Sequence, residues 1–446
     1  METQSNNFTS TSNIVNPETG ENVLDLQRNI LICGDQTSLY EDFDYVKNNF
    51  CGKVFTDIHT FNSDILSSNT YIYLVGIDVE QFYLQVDLDK FIKISKVYVV
   101  NDFTSEFINN TDSKSYEIIN IQAIPINIHG MGVYFRNFVN SSKLDYFETI
   151  KMEHQFQTLT ESNKESNAFR KGIYLSRVEE KPETNNLTFN LLRCSTNLDG
   201  PTESFSQTDQ TIIDLTNNLA TQFYSETKLN HVLAQIYTNT QVGTKEKKAR
   251  IKAHSDKTKD MDRCGLIAFC SFYENYSNNK FNGKHEKIIC KSEDCVIESK
   301  NSKVCQANSV LSRLRFKLKF YDSKYPKQFD VVLYPNSVFI IPLSTNRLYT
   351  HEIIPSILPV DKIPTRMGYV VRCSDTKAIY KKLNSSTFII HNNVETQLVK
   401  QDLESFGSIE KLKELYYKEN MFDQIVEYPE TNFSLNLGDY MEPRII

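Results

Sequence analysis

Eight consecutive residues, Arg313-Leu314-Arg315-Phe316-Lys317-Leu318-Lys319-Phe320, alternate strictly between basic and apolar side chains. A period of two places the four apolar groups on one face of an extended strand and the four basic groups on the other. A helix would scatter the same residues around its circumference, so the segment has to be a strand with one covered and one polar face. Short runs of similar character surround it at 229–237, 263–273, 329–334, 337–342, 366–373 and 387–391, with turn residues such as Tyr334-Pro335-Asn336 between them. Many short strands in succession predict a β-sandwich or jelly roll.

The first third of the chain reads differently. Residues 1–22 are polar and rich in Asn, Ser and Thr, which predicts a disordered tail. From about 27 to 140, apolar runs at 29–35, 53–58, 70–76 and 96–101 alternate with helix-compatible stretches at 40–50 and 79–94. Buried strands alternating with helices predict a small parallel α/β domain over 23–142. It carries neither Gly-x-Gly-x-x-Gly nor a Walker A loop, so a docking or scaffold role is favoured over a nucleotide site. Further on, 145–175 reads as a helix followed by a strand, 199–210 as a loop and 211–226 as a helix. The expected class is α+β. A β-rich domain with flanking helices covers 143–400 and carries a polar insertion at 275–307. A helical, then irregular, tail follows over 401–446.

Composition narrows the setting. No run approaches the roughly 20 apolar residues that span a bilayer, and the N-terminus lacks an apolar signal-peptide core. The nine cysteines are odd in number and scattered, which fits reduced thiols in an intracellular protein rather than a disulfide frame. A net charge of −7 argues against a surface that coats nucleic acid generally, while leaving room for a local basic groove.

The chemistry lies in Ala253-His254-Ser255-Asp256-Lys257 and, far downstream, Tyr349-Thr350-His351-Glu352-Ile353. Residues i and i+2 of an extended segment point the same way, so His254 and Asp256 can aim at one metal ion. With His351 they would supply two imidazoles and one carboxylate, a set that fills one face of an octahedral ferrous ion and leaves the other positions open. Taken alone, His-x-Asp also fits a polar turn. Arg366-Met367-Gly368-Tyr369-Val370-Val371-Arg372 puts two arginines on one strand face, roughly 20 Å apart at about 3.3 Å per residue. Apolar groups on the opposite face imply burial, and buried guanidinium groups need anionic partners, such as the two ends of a dicarboxylate. Upstream, Gln235 and Tyr237 also share a face and can donate hydrogen bonds to a carboxylate.

In combination, Asn230-x-x-Leu233-x-x-x-Tyr237, His254-x-Asp256, the run Ser337-Val338-Phe339-Ile340-Ile341-Pro342, Asn346-x-x-Tyr349-x-His351 and the Arg366/Arg372 pair resemble the AlkB-like branch of Fe(II)/2-oxoglutarate oxygenases over about 145–395. The resemblance implies a double-stranded β-helix with His254, Asp256 and His351 as iron ligands. It puts Tyr237 and Arg366 at the distal carboxylate of 2-oxoglutarate, and Arg372 near the other carboxylate and Asp256. O2 is the implied co-substrate and ascorbate an accessory reductant. Three features depart from the family pattern: Gln235 stands where it usually has Asn, the 275–307 insertion is extra, and the N-terminal α/β unit has no counterpart.

Two lesser signals remain. His285, Cys290, Cys295 and Cys305 could complete a zinc site within the insertion, at a spacing matching no common zinc motif; free thiols in a loop fit equally. Residues 244–263 hold eight Lys/Arg against four Asp/Glu around the His-x-Asp pair, a possible basic rim for a phosphate-bearing substrate, or a solvated loop. His59, His129, His154, His231 and His391 read as structural. The sequence therefore leaves three functions open: oxidative dealkylation of nucleic-acid bases with candidate lid segments in 165–200, hydroxylation of a protein or lipid, and a non-catalytic scaffold on a decayed barrel. The oligomeric state is not written in it.

Overall fold

The computed structural model describes residues 14–34, 43–62, 65, 66, 69–77, 79–84, 95–100, 116–139, 144–161, 164–192, 198–225, 227–274, 311–391, 393–400 and 406–446. The architecture is mixed α+β. A five-stranded parallel sheet runs in the order Lys53–Phe55, Asn29–Cys33, Thr70–Val75, Ser95–Val100, Tyr116–Ile119. Its central strands Asn29–Cys33 and Thr70–Val75 are buried on both faces, as uninterrupted apolar runs require. On one face Ile30, Ile32, Ile72 and Leu74 pack with Phe82 of the helix Val79–Leu84. On the other, Leu31, Tyr73 and Val75 join the same apolar cluster as Phe269, Phe316 and Phe339 of the main body.

The α/β unit is thus continuous with the rest of the core, and its expected boundary at 142 moves. Ile126–Asn127 and Val133–Phe135 are the last two strands of the large sheet, the latter paired with Ser337–Pro342. The expected disordered tail is also corrected in part. Residues 1–13 lie outside the described residues, but 14–22 fold onto the body. Glu21 and Asn22 are buried, and the Glu21 carboxylate takes two hydrogen bonds from Arg347 at 2.7 and 2.9 Å. Polar composition suggested disorder because the arginine that offsets the cost of burying Glu21 lies over three hundred residues away.

The large sheet has nine strands. Its path is Glu203–Ser204, Lys164–Ser176, His231–Tyr237, Arg366–Arg372, Leu266–Tyr273, Ser337–Pro342, Val133–Phe135 and Ile126–Asn127, with Gln157–Glu161 paired on Lys164–Ser176. All eight residues of Leu266–Tyr273 are buried, so both faces are covered. Outward, Ala268, Cys270, Met367 and Tyr369 pack under the helices Tyr146–Glu153 and Gln207–Ala220. Inward, Phe269 and Phe339 meet Phe316 edge-on at 6.3 and 5.7 Å. Phe316 belongs to a second antiparallel sheet, Gln328–Val332, Arg313–Leu318 and Tyr349–Ile354. The alternating segment behaves as its pattern demands: Leu314 and Phe316 face the core, while Arg313 and Arg315 pair with Asp330 and Lys317 pairs with Glu352. A further sheet, Glu179–Lys181, Asn186–Leu191, Thr376–Lys381, Ser386–His391 and Val394–Gln397, flanks these two.

The helix expected from 211 begins four residues earlier. Ser206 caps it: its side chain accepts from the Asp209 N–H while Asp209 accepts from the Ser206 N–H. Asp209 also anchors a buried network. His154 lies between Glu203 Oε2 at 3.1 Å and Asp209 Oδ2 at 2.7 Å, and the Tyr369 hydroxyl donates to Asp209 Oδ1 at 2.8 Å. Burial alone would favour neutral His154, but the hydrogen bonds and charges of Asp209 and Glu203 outweigh it and raise its pKa from 6.5 to about 9. A raised folded pKa means that this stabilisation is complete below pH 6.5 and is lost as pH rises through 9. Wild-type stability in urea should therefore fall by on the order of 3 kcal/mol between pH 6.5 and 10 from this group. His154→Gln should be less stable at neutral pH and lose less stability across that window, keeping only the fall contributed by other groups such as the thiols of Cys51 and Cys270, whose pKa values burial raises; an unchanged slope in the variant would place the titration elsewhere.

Candidate metal centre

The His-x-Asp segment is brought to the second sheet by a single antiparallel bridge. His254 N–H donates to His351 O at 3.0 Å, and His351 N–H to His254 O at 2.7 Å. The two rings lie 4.4 Å apart, and the ligand atoms of His254, Asp256 and His351 all fall within 4.8 Å of one another. His254 Nε2 is 3.6 Å and His351 Nε2 3.8 Å from Asp256 Oδ1. No other such cluster of His, Cys, Asp or Glu occurs among the described residues. The zinc candidates His285, Cys290, Cys295 and Cys305 lie outside the described residues.

The donor set fits a divalent cation. His254 Nδ1 lies 2.8 Å from the Lys252 carbonyl, which can only accept, so the proton sits on Nδ1 and Nε2 offers its lone pair. The His254 side chain is 37% exposed, whereas Asp256 and His351 are buried, so the site opens on the His254 side. The His351 ring is held by packing: Phe269 meets it edge-on at 5.2 Å and Phe316 lies 5.6 Å away. Burial first, then the neighbouring His254 and Arg372, depress its pKa to about 3, so it is neutral at pH 7 as a ligand must be. Burial would raise the Asp256 carboxyl, but Arg372 and the two imidazoles outweigh it and hold it well below the usual carboxylate range. Arg372 Nε and Nη2 both reach Asp256 Oδ2, at 2.9 and 2.7 Å, leaving Oδ1 turned toward the histidines.

The strand Arg366–Arg372 carries the rest. Its inward residues are Arg366, Gly368, Val370 and Arg372. Register places Tyr237 and Tyr273 beside Arg366, Gln235 and Ser271 beside Gly368, and His231 beside Arg372. The Arg366 guanidinium lies 4.2 Å over the Tyr237 ring, and Tyr237 donates its hydroxyl to Gln235 Oε1 at 2.9 Å. Gly368 makes room for this stack: a Cβ there would meet Arg366 Nη1 and Tyr237 Cε2, each at 3.1 Å. Arg366 is buried, and its Nη2 has no hydrogen-bond partner among the described residues, nor has the buried Ser271 hydroxyl. A buried guanidinium nitrogen left over fits an anionic group held there. Arg366, Tyr237 and Gln235 are thus gathered at one end of the strand, and Arg372 joins the triad at the other.

Several supporting residues show their role only in the folded structure. Asn346 grips Asp256 twice, its Oδ1 accepting from the Asp256 N–H and its Nδ2 donating to the Asp256 carbonyl, both at 2.8 Å. Ser271, Phe269 and Phe316 read as ordinary strand residues until the two sheets are placed face to face. Of the basic residues in 244–263, Lys248 donates to the Ser356 and Leu358 carbonyls, Lys259 pairs with Asp260 and Arg263 with Glu427. Lys245, Lys247, Arg250 and Lys252 remain exposed. No helix among the described residues is long and apolar enough to cross a membrane.

No protein-family model and no curated protein sequence matches this chain. Among solved structures it is similar to that of OsALKBH1, with 10% identity, a TM-score of 0.29, and coverage of 55% of this chain and 97% of the other. It is similar also to a prolyl-4-hydroxylase of Pseudomonas putida, with 10% identity, a TM-score of 0.26, and coverage of 54% and 90%. Likenesses this distant leave activity to be argued from the site itself.

Proposed function

We propose that the chain is a non-haem Fe(II)/2-oxoglutarate-dependent oxygenase whose two facing antiparallel sheets form a double-stranded β-helix. One observation carries the reading: His254, Asp256 and His351 converge with ligand atoms within 4.8 Å beside the three-stranded sheet, and the strand Arg366–Arg372 of the large sheet bears a buried arginine at each end. Two imidazoles and one carboxylate are the donor set of ferrous oxygenases that need open positions. When bound, the ferrous ion with 2-oxoglutarate and O2 supplies the oxidation of a substrate C–H bond, with release of succinate and CO2. In this reading Arg366 and Tyr237 hold the distal carboxylate, Arg372 fixes Asp256 in its ionised form, and Phe269 and Phe316 keep water from the buried side of His351. Lys245, Lys247, Arg250 and Lys252, exposed within the ten residues that precede His254 in the chain, favour a phosphate-bearing substrate, with oxidative dealkylation of a nucleic-acid base as the reaction.

The test is anaerobic binding of Fe(II) and 2-oxoglutarate, followed by conversion of 2-oxoglutarate to succinate without and with methylated oligonucleotides. Wild type should bind both and turn over, and His254→Ala should lose turnover. A wild type that binds neither ion nor co-substrate ends the oxygenase reading.

A further inference from the structure

We propose that Asn420, near the end of the helix Phe406–Met421, is a positioning residue for the metal ligands, and that this helix sets the His254–Asp256 segment before a metal ion arrives. The inference rests on reading His254, Asp256 and His351 as ligands. Ser255 lies between two of them, and its backbone N–H donates to Asn420 Oδ1 at 2.8 Å. Two residues past Asp256, the Thr258 N–H donates to both Glu419 oxygens at 3.1 and 3.2 Å, and its hydroxyl donates to Glu419 Oε1. Lys257, between these contacts, lies 4.3 Å over the Tyr416 ring.

These bonds answer a specific need. Among the described residues, the backbone of 254–258 pairs with a strand only at the His254–His351 bridge, so the N–H groups of Ser255 and Thr258 have no ladder partner. A buried N–H must be paired, and here side chains from more than 160 residues downstream take the place of a neighbouring strand. The Ser255 bond constrains the backbone torsions at Ser255, which help decide whether the side chains of His254 and Asp256 point the same way.

The helix is anchored to the elements that carry the third ligand. Lys319 donates to the Glu419 carbonyl at 2.7 Å and to the Phe422 carbonyl at 3.1 Å, and the Phe320 and Phe422 rings stack at 6.0 Å. Lys319 and Phe320 directly follow Arg313–Leu318, the strand paired with the His351 strand. Arg347, next to Asn346, donates to the Asp423 carbonyl at 2.6 Å. The C-terminal helix therefore spans from one ligand segment to the support of the other. Residues that orient metal ligands typically cost about 10- to 100-fold in metal affinity when removed.

The experiment uses full-length protein and Co(II) as an oxygen-stable probe, followed by titration of its d–d absorption. Four proteins are compared: wild type, His351→Ala, Asn420→Ala and Asn420→Asp. Asn420→Ala should bind Co(II) roughly tenfold or more weakly with unchanged far-UV circular dichroism. Asn420→Asp, which keeps the acceptor, should restore affinity and the wild-type spectrum. If His351→Ala loses binding while Asn420→Ala stays within twofold of wild type, the positioning role is wrong and the ligand assignment stands. If wild type binds no Co(II), or His351→Ala binds like wild type, the ligand assignment itself fails and takes the proposal with it. Hydrogen exchange on metal-free wild type decides the case in which Asn420→Ala does not fold. The Ser255 and Thr258 amides should be protected and exchange together with the helix amides of 409–420; rapid, loop-like exchange overturns the proposal.

Discussion

Arg366→Met is expected to abolish 2-oxoglutarate binding while leaving metal binding in place and the metal-free fold no less stable than wild type. The opposite signs follow from where Arg366 sits. It is buried against the Tyr237 ring, with Nη2 unpaired among the described residues. Holding a cation in that state costs free energy, and an apolar side chain of similar length removes the cost. The same cation is the group that would meet the distal carboxylate. Truncating one member of a buried, hydrogen-bonded charge pair costs about 2–5 kcal/mol, which is roughly 30-fold to several thousand-fold in affinity. Calorimetric titration with 2-oxoglutarate in the presence of Mn(II), alongside urea unfolding without ligand, measures both halves. A variant that binds 2-oxoglutarate as wild type does would remove Arg366 from the site. One that merely unfolds would show the guanidinium to be structural.

The same strand shows what could be read from sequence and what could not. Arg366 and Arg372 share a face because a strand has period two, and the apolar residues between them announce burial. Likewise His254 and Asp256, two apart, could be paired on paper. The alternation of 313–320 gave both faces of its strand, though not the acidic partners, because Asp330 and Glu352 arrive through strand pairing. What stayed hidden depends on contacts across long chain separations. The grip of Asn346 on Asp256 spans 90 residues and that of Asn420 on Ser255 spans 165; Asn346 is legible only as a motif position without its partner, and Asn420 does not stand out among its neighbours. The places of Glu21 and of Val133–Phe135 depend on the same kind of contact: Glu21 is held by Arg347, and Val133–Phe135 by the strand Ser337–Pro342. Helix starts slipped where a cap, rather than the apolar period, set the boundary, as at Ser206.

Arg372→Leu is expected to be the most destabilising single change at the site in metal-free protein, and bound metal should reverse part of the loss. Arg372 meets Asp256 through two nitrogens in a buried setting, and the His351 imidazole beside that carboxylate is neutral at pH 7. Removing one partner of a buried ion pair typically costs about 3–5 kcal/mol, because the other charge is left without compensation. A divalent cation on Asp256 Oδ1 supplies compensation of its own, so the difference between variant and wild type should shrink when unfolding is measured in saturating Mn(II) or Co(II). Arg366→Met, on the same strand, should show no such metal-dependent difference, because Arg366 lies at the far end from Asp256. The two variants therefore separate the roles that the proposed function gives the strand's ends, Arg372 to hold a metal ligand and Arg366 to meet the co-substrate. If Arg372→Leu costs less than about 1 kcal/mol without metal, the Arg372–Asp256 pair is not the buried ion pair described here. If the cost is large but indifferent to metal, Asp256 is a structural carboxylate and the ligand set must be drawn without it.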